Sequence, residues 1–425
     1  MSTYNANIQT RLIDPVFDRK NFRAEYRLNA NSVYLSNMRL LDMGITTAPG
    51  AGATFPNTLL GVWCIKSIAL FDGSELLDQL LESSLYRAFK NFNNTNDSVN
   101  SMEKQLARSG WGFMMDGDQT WDGDTPGAEG IEMSSLESWD IEEASTTNGQ
   151  NKVWLSLKSV LPFLASSLYV PTDVFKNLRL VIEWKSPSEL KNLGRDSTID
   201  YDGLVGSFLA VDEVVQGDGR DSIIKNYQGV VYRAVEHDSV HVNAVAPAAG
   251  SKTTQNNRFL VNGYNNKTVE RMLIVQTPTD ATTWRDGTNN VGAANQGSLS
   301  QLNSSFQFRV NGQNKLPRTG FTRKNQRLAA LTDTYGECTL MPTQNFVYFP
   351  SIATFTPDEN ENKEFGQTDY TGVEIRESVR EMVVEYNRDG VDGNTDINQP
   401  IRLNLFAEVV KSIRVDNGKY IISYL

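Results

Sequence analysis

Carboxylates are concentrated in the segment 115–124, where they could supply oxygen ligands to a hard cation. The segment MDGDQTWDGD contains four aspartates within ten residues, and calcium is held in proteins by such oxygens. A calcium loop of the EF-hand type needs glycine at its sixth position and an acid at its twelfth, where this sequence has Trp121 and Gly127. We interpret the segment as a solvated surface loop, and whether it binds a cation stays open.

Two other segments match ligand-binding loops only in part. The segment 392–396 has acidic or amide residues at the first three ligand positions of a calcium loop, but Ile397 stands at the sixth position. The segment 250–253 (GSKT) is similar to the end of a phosphate-binding loop, but a serine separates its glycine from its lysine and Val245 stands where an upstream glycine is needed. We interpret both segments as ordinary turns or loops.

Histidine and cysteine are too rare for the usual catalytic and metal sites. The two histidines, His237 and His241, lie in an alternating, strand-like stretch, and residues four apart on a strand stand about 13 Å apart. Neither lies near a Gly-x-Ser-x-Gly turn. The two cysteines, Cys64 and Cys338, are far apart and cannot form a disulfide framework or a thiolate cluster. The sequence therefore predicts no catalytic, cofactor-binding or metal-ligating residues, and no enzyme.

Composition restricts the class of protein further. Acidic residues outnumber basic ones by 51 to 40, and no run of about five lysines and arginines occurs, so direct nucleic-acid binding is not expected. No stretch reaches the ~18 apolar residues of a membrane span, and the N-terminus lacks a signal-peptide core. We therefore expect synthesis inside a cell. The 425 residues exceed what one core normally serves, which predicts two domains.

The elements that position these residues are predicted to be mostly strands. Short segments rich in β-branched and aromatic residues alternate with clusters of Gly, Asn, Asp and Pro, as in all-β sandwiches. The strand candidates are 22–28, 33–45, 60–71, 153–157, 178–184, 207–215, 229–235, 268–276, 305–310, 346–349, 381–386, 401–410 and 420–424. Apolar residues at helical spacing predict two helices, at 76–89 and 321–331.

Two pairs of similar segments indicate that the chain is duplicated. A strand candidate runs into Asp72-Gly73 in the first half and another into Asn311-Gly312 in the second, and such dipeptides favour type I′ hairpin turns with glycine at positive φ. The segment 178–182 (LRLVI) likewise matches 401–405 (IRLNL). The polar stretch 186–206 predicts the boundary, which gives domains 1–205 and 206–425.

The end of the chain is predicted to be a strand hairpin rather than a free tail. Apolar residues alternate with polar or smaller ones on both sides of the turn sequence 416–418. These apolar residues are Ile413, Val415, Tyr420, Ile422 and Tyr424.

Four stretches together resemble one protein family, the double jelly-roll major capsid proteins of icosahedral DNA viruses, particularly nucleocytoplasmic large DNA viruses, virophages and polinton-like viruses. The stretch 65–92 is similar to the family's strand, glycine turn and helix. The stretch 154–184 resembles its closing strands, with Leu161-Pro162-Phe163 early and LRLVIEW at the end. The stretch 306–331 resembles the second jelly roll's strand ending in an Asn-Gly turn. The stretch 404–425 is most similar, with a pattern of the type L-R-I-x-x-G before a last strand.

The resemblance implies an all-β fold of two tandem jelly-roll β-sandwiches with short helices and long inter-strand insertions, the first with an N-terminal tail. It implies a homotrimer that forms pseudo-hexagonal capsomers and the icosahedral virion shell, with no cofactor. The implied partners are other copies of the chain, neighbouring capsomers, minor capsid and penton proteins, and an inner membrane where one exists. The insertions 93–150 and 250–305 are expected to form towers and inter-subunit contacts.

A carbohydrate-binding or carbohydrate-active β-sandwich, a lectin or a glycosidase, is the alternative from another class. Tryptophans would stack on sugar rings and carboxylates would act as ligands or as acid and base. Burial of the tryptophans in sandwich cores and trimer contacts is the competing interpretation. The residues are Trp63, Trp111, Trp121, Trp154 and Trp284, with Asp118 and Glu129.

Overall fold

The structure is a computed structural model of the chain. It describes residues 7–19, 23–47, 65–83, 86, 150–184, 201–205, 208–215, 218–278, 305–316, 324–335, 369–391, 400–416 and 418–425. These residues form four sheets, all of whose strand pairs are antiparallel, and short helices. No described helix combines the length and the apolar character that crossing a bilayer requires.

Two of the sheets form a first unit, residues 7–215. Sheet I has the order β11-β5-β12-β4-β9, with β1 added to β12 and β8 to β5, and sheet II has the order β2-β3-β10-β6-β7. A short helix, α1 (Pro162–Ser166), lies between β8 and β9. The strands are β1 (Asn7–Ile13), β2 (Phe17–Arg19), β3 (Arg23–Arg27), β4 (Val33–Leu35), β5 (Arg39–Thr47), β6 (Ile65–Asp72), β7 (Glu75–Leu81), β8 (Gln150–Ser156), β9 (Tyr169–Pro171), β10 (Leu178–Trp184), β11 (Tyr201–Val205) and β12 (Phe208–Val215).

The other two sheets form a second unit, residues 229–425, which follows helix α2 (Asp218–Asn226). Sheet III has the order β13-β20-β15-β18 with β21 added to β20, and sheet IV has the order β14-β19-β16-β17. The elements are β13 (Gly229–Val242), β14 (Lys252–Leu260), β15 (Lys267–Pro278), β16 (Ser305–Val310), β17 (Gln313–Asn314), α3 (Lys324–Tyr335), β18 (Asp369–Val379), β19 (Met382–Val391), β20 (Ile401–Asp416) and β21 (Lys419–Tyr424).

One hydrophobic core runs through both units. Along β10 the side chains of Leu178, Leu180 and Ile182 alternate with others and are at most 1% exposed, as expected of one strand face turned to a core. In β20 the consecutive residues Leu405 and Phe406 are both fully buried, so this strand is covered on both faces. Most of the buried apolar residues of the two units belong to a single contiguous cluster.

The strand order is repeated, which confirms the predicted duplication. In the first unit β10 lies between β3 and β6, and β12 pairs with β1 on one side and with β4 and β5 on the other. In the second unit β19 lies between β14 and β16, and β20 lies between β13 and β15. The segments 68–74 and 307–313 therefore occupy equivalent hairpins, β6–β7 and β16–β17.

The glycines of these hairpins have the positive φ that the sequence predicts. Asn311 and Gly312 have φ of 51° and 82°, which is the pattern of a type I′ turn. In the first hairpin Asp72 pairs with Glu75, so the two central residues are Gly73 and Ser74, and only Gly73 has positive φ, at 61°. Glycine at the first central position is typical of type II′, so the type I′ turn predicted at Asp72-Gly73 is wrong, because Asp72 is the last paired residue of β6 rather than a central turn residue.

The second predicted repeat pair is wrong. The segment 178–182 lies in β10, whose counterpart by pairing is β19, whereas 401–405 lies in β20, whose counterpart is β12. The physical reason is that a central strand of either sheet is buried and carries the same apolar pattern. Such a pattern indicates a central strand without indicating which one.

The first predicted helix, 76–89, is wrong at its start, because residues Glu75–Leu81 form β7, paired with β6. The described residues Ser83 and Tyr86 that follow are helical, as predicted. The turn at Gly73 sends the chain straight back along β6, and ladder hydrogen bonds then outweigh helical spacing. Leu77 has no partner in β6, so a bulge places Leu77 and Asp78 both inside. Because the bulge turns two consecutive residues inward, the apolar residues of β7 are spaced in the sequence as they would be in a helix. The second predicted helix is confirmed as α3, a few residues later than expected.

The strand pairing bears on the expected boundary at residue 205. Strand β12 would belong to the second domain, yet it pairs with β1, β4 and β5 in sheet I. The first unit therefore extends to Val215, and the passage to the second unit contains α2. Polar composition at 186–206 indicates a connection, but it does not distinguish a loop within a sandwich from a linker between two. The division into two domains itself stays a prediction.

The predicted C-terminal hairpin is confirmed. β20 and β21 pair from Lys411↔Tyr424 to Asp416↔Lys419, and Gly418 in the turn has φ of 74°. Ile413 is fully buried, and Val415, Tyr420 and Ile422 pack against the core. The last residue is held by its backbone, since the Thr268 amide donates to the Leu425 carbonyl at 3.0 Å. Tyr424 is 41% exposed.

Candidate functional site

Many of the sequence candidates lie outside the described residues. These are the acidic segment 115–124, the segment 392–396, both cysteines, and the carbohydrate candidates Trp63, Trp111, Trp121, Trp284, Asp118 and Glu129. Trp154 lies in β8. The described part of the chain contains no cluster of three or more His, Cys, Asp and Glu side chains that could hold a metal ion.

The two histidines lie on β13, as the alternating sequence predicts. His237 Nε2 lies 3.2 Å from Asn404 Oδ1, and its ring lies 4.8 Å from the ring of Phe406. Burial lowers the pKa of His237, so the ring is neutral at pH 7. It is therefore a half-buried histidine that packs on Phe406 and pairs with Asn404.

The segment 250–253 is a turn that leads into β14. Gly250 has φ of 71°, and the amide and hydroxyl of Ser251 both donate to the carbonyl of Ala248, at 3.0 and 2.7 Å. Lys252 and Thr253 then enter the strand. These hydrogen bonds close the turn on itself, as expected of an ordinary loop.

The most elaborate polar arrangement among the described residues is the contact between the two units, which begins at the buried carboxylate of Asp78. This β7 side chain is 1% exposed. Its Oδ2 accepts the Phe163 amide at 2.7 Å and its Oδ1 accepts the Gln79 amide at 2.9 Å. Phe163 is in the first turn of α1, where amides have no partner within the helix. Asp78 therefore fixes α1 on β7.

Two polar side chains of the second unit reach the adjacent backbone of β7. Lys411 Nζ donates to the carbonyls of Leu76 and Leu77, at 3.2 and 2.8 Å, and the hydroxyl of Tyr232 also donates to the carbonyl of Leu77. These bonds cluster at the bulge, where Leu77 has no partner in β6. The bulge thus presents backbone acceptors to the second unit.

Burial shifts both charged groups of this contact toward their neutral forms. Loss of hydration raises the pKa of Asp78 to about 7, against the opposing effects of its two amide donors and of Lys411. Loss of hydration likewise lowers the pKa of Lys411, although Asp78 and Glu236 oppose the shift. The desolvation of each ion outweighs the attraction between them. Asp78 therefore changes its charge near neutral pH.

A second buried carboxylate, Glu408 of β20, joins three parts of the molecule. Arg271 Nε donates to it at 2.7 Å and the hydroxyl of Tyr86, from the first unit, donates at 3.3 Å. Arg271 also donates to the carbonyl of Thr334 at 3.3 Å and lies 4.4 Å from the ring centre of Tyr335 in α3. Burial raises the pKa of Tyr86 and of Tyr335, which keeps both hydroxyls protonated and lets Tyr86 donate to Glu408.

The C-terminal hairpin closes the same contact from the other side. Tyr420 donates its hydroxyl to Asp72 Oδ2 at 2.8 Å, and its ring lies 5.2 Å from that of Phe175. Phe175 also meets Tyr227 edge-on at 6.0 Å. Aromatic pairs of this kind contribute beyond their buried area. The units are thus joined by hydrogen bonds and by apolar packing, and the arrangement holds them in one orientation.

Sequence reasoning missed this contact. Asp78 stands within the apolar run LLDQLL and Lys411 within VVKSI. A lone charge inside an apolar strand is a signal of a buried, paired group, but the helix prediction for 76–89 concealed it. Which acid faces which base depends on the placement of segments 334 residues apart, as for Leu77 and Lys411.

Comparison with known proteins agrees with this architecture. No protein-family model matches the chain, and no curated protein matches it. Among solved structures, the PBCV-1 protein VP54, fitted into a reconstruction of the virophage Sputnik, aligns over 100% of this chain and 98% of its own, at 12% identity and a TM-score of 0.53. The mavirus major capsid protein aligns over 99% and 90%, at 10% identity and a TM-score of 0.53.

The Faustovirus major capsid protein aligns over 98% of this chain and 92% of its own, at 10% identity and a TM-score of 0.51. At such identities the similarity concerns the fold. It covers both units and their order along the chain. The chain therefore has the double jelly-roll fold of the viral capsid proteins to which it is similar.

Proposed function

We propose that this chain is a structural major capsid protein, which trimerises into pseudo-hexagonal capsomers and forms the shell of an icosahedral virion. The observation that carries the proposal is the fusion of two units of equal strand order through one buried contact. The solved structures that are similar in fold over nearly the whole chain include two named as major capsid proteins.

The geometry suits a shell because three copies would present six similar sandwiches. Such a trimer is nearly sixfold in outline, so one gene product can tile a hexagonal lattice. Tiling requires that the two sandwiches keep a constant angle. The bonds from Lys411 to Leu77 and from Tyr86 to Glu408, which cross the contact, serve this purpose.

The shell role includes partners and a location. The first partner is the chain itself, in the trimer and between neighbouring capsomers, followed by minor capsid and penton proteins and an inner membrane where the virion has one. The net charge of −11 accords with a shell that leaves genome binding to other proteins. In this proposal the protein is made in the host cell, resides in the virion and performs no catalysis.

Light scattering on the purified full-length chain, with electron microscopy of the same sample, tests the proposal. We expect a particle of three times the chain mass of 47.5 kDa that persists on dilution to micromolar concentration, because obligate interfaces bury about 2,000–5,000 Å². Class averages should show a nearly hexagonal outline. A folded monomer at micromolar concentration would contradict the trimer.

A glycan array incubated with the same preparation addresses the carbohydrate alternative. Apart from Trp154 in β8, the residues on which that alternative depends lie outside the described part of the chain. Specific binding to one sugar class by a monomer would favour it. Trimers that bind no glycan would favour the shell.

A further inference from the structure

Strand β1 carries an exposed apolar surface. Six of its seven residues are exposed, Ile8 to 54% and Leu12 to 61%, and Val16 just after it to 59%. One edge of β1 pairs with β12, and no described strand pairs with the other edge. Large apolar side chains grouped on an open strand commonly mark an interface. We define the β1 surface as Ile8, Leu12 and Val16.

The equivalent strand of the second unit is covered. β13 stands beside β20 as β1 stands beside β12. Its residues Tyr232, Ala234 and Val235 are between 2% and 4% exposed. Tyr232 bonds to the carbonyl of Leu77 in β7, and its ring meets that of Phe163 in α1 at 5.7 Å. Within one chain, the β6–β7 side of the first unit therefore covers the first strand of the second.

The hairpin equivalent to β6–β7 is uncovered in turn. β16–β17 occupies that position in the second unit, and the residues of its tip and outer strand, Asn311 to Asn314, are all exposed. Each chain thus contains one buried contact of this kind, between β7 of the first unit and β13 of the second. It also contains the two halves of an equivalent contact, β1 and β17, both of which are exposed to solvent.

We propose that the β1 surface of one copy packs against the β16–β17 side of the second unit of another copy. The proposal rests on the proposed function and names the surfaces that would make its trimer. A contact between two different surfaces is head-to-tail, and repeated contacts of this kind close into a ring when the rotation permits. Three copies would then alternate internal and external contacts of the same geometry around six sandwiches.

One full-length double variant and a matched control variant test the surface. The double variant Ile8→Asp/Leu12→Asp places charges on it, and Leu168→Asp does the same to a side chain that is 75% exposed elsewhere. We expect the double variant to raise the trimer dissociation constant at least about 100-fold. Leu168→Asp should remain trimeric. Sedimentation velocity measures the assembly, and thermal melting of the dissociated chains compares folding.

A cross-link identifies the partner surface. Ile8→Cys and Asn314→Cys, in a chain whose Cys64 and Cys338 are replaced by serine, are treated with a short bismaleimide. Covalent dimers and trimers linked through positions 8 and 314 support the inference, including in the event that the aspartate variant fails to fold. Their absence in a trimeric sample overturns it.

The outcomes separate the two proposals. A wild-type trimer that persists in the double aspartate variant, without the cross-link, refutes the β1 surface and leaves the capsomer intact. A wild-type chain that is monomeric refutes the proposed function and, with it, this inference.

Discussion

At the scale of single residues, glycines with similar φ have different reasons to be glycine. Gly312 has φ of 82°, and a Cβ there would meet no atom within 4 Å. Gly229 has φ of 105°, and a Cβ there would lie 1.9 Å from the carbonyl oxygen of Ile413. The first position requires a backbone conformation. The position of Gly229 also requires the absence of a side chain, because the start of β13 lies in close contact with the backbone of β20.

The two glycines therefore predict different costs. Gly312→Ala should cost on the order of 1 kcal/mol, the strain of positive φ alone. Gly229→Ala should cost at least about 3 kcal/mol, because the backbone of β13 or β20 must move. Urea denaturation of both variants measures the difference. Equal urea midpoints for the two variants would show that the backbone at the start of β13 can shift to accommodate a Cβ without loss of stability.

Asp78 predicts a pH dependence of stability. Its folded pKa of about 7 lies above the unfolded value of about 3.9, so between these values the folded chain binds a proton that the unfolded chain does not. The contribution of Asp78 to the free energy of unfolding is therefore fully present below about pH 4. It is lost as the pH rises through 7, and the free energy of unfolding falls by up to about 1.4 kcal/mol per pH unit.

The variant Asp78→Asn isolates this contribution, because its amide oxygen can still accept the Phe163 amide and does not titrate. We expect urea midpoints of the wild type to fall between pH 5 and pH 8 more steeply than those of Asp78→Asn. Parallel profiles would mean that Lys411 keeps Asp78 ionised throughout.

At the scale of elements, the C-terminal hairpin of the second unit also contacts the first unit. β21 is the last strand added to sheet III, yet its Tyr420 reaches Asp72 and Phe175 in the first unit. Leu425 ties the same strand to Thr268 at the start of β15. A strand at the chain end therefore supports both a sheet and the contact between the units.

Removing residues 420–425 should cost on the order of 3 kcal/mol. Partial burial of Tyr420 and Ile422 is lost, and the edge of β20 becomes open to association with other chains. Ile421→Ser is the control, since Ile421 is 65% exposed and should change little. Thermal melting and sedimentation of both chains measure the effect. A truncated chain with the wild-type melting temperature and trimer would contradict the role of β21.

At the scale of the whole molecule, the two units share one core and a buried polar contact. Separating them would expose Phe163, Phe175 and Tyr232 and would leave Asp78 beside carbonyls that have lost Lys411. Neither unit is therefore expected to be stable without the other. This differs from domains joined only by a linker, which unfold independently.

Calorimetry of the full-length chain should accordingly show one transition rather than two. The variant Lys411→Met, which keeps the length of the side chain but removes the charge and its donors, should lower the temperature of that transition. It should not split it. Two resolved transitions in the wild type would show that the contact is too weak to couple the sandwiches.

Part of the architecture was predictable because its signals are local. Gly73 and Gly312 predict hairpin turns, because glycine adopts positive φ without the steric strain that other residues have. Gly418 predicts the last hairpin for the same reason. The apolar alternation on both sides of it adds that one face of the hairpin is buried. The segments of the second repeat pair are strands, as predicted, but they are not equivalent strands, because apolar alternation does not specify a sheet.

The amino-acid sequence by itself determined a duplicated all-β chain, its Gly-centred hairpins, the helix near residue 330 and the scarcity of catalytic groups, since all of these follow from composition or from neighbours within a few residues. Only the tertiary structure decided that Glu75–Leu81 is a strand, that β12 closes the first unit, and that Asp78 and Lys411 meet at one contact. These outcomes depend on pairing and desolvation between segments hundreds of residues apart, and the energies that select them arise only when both surfaces leave water together.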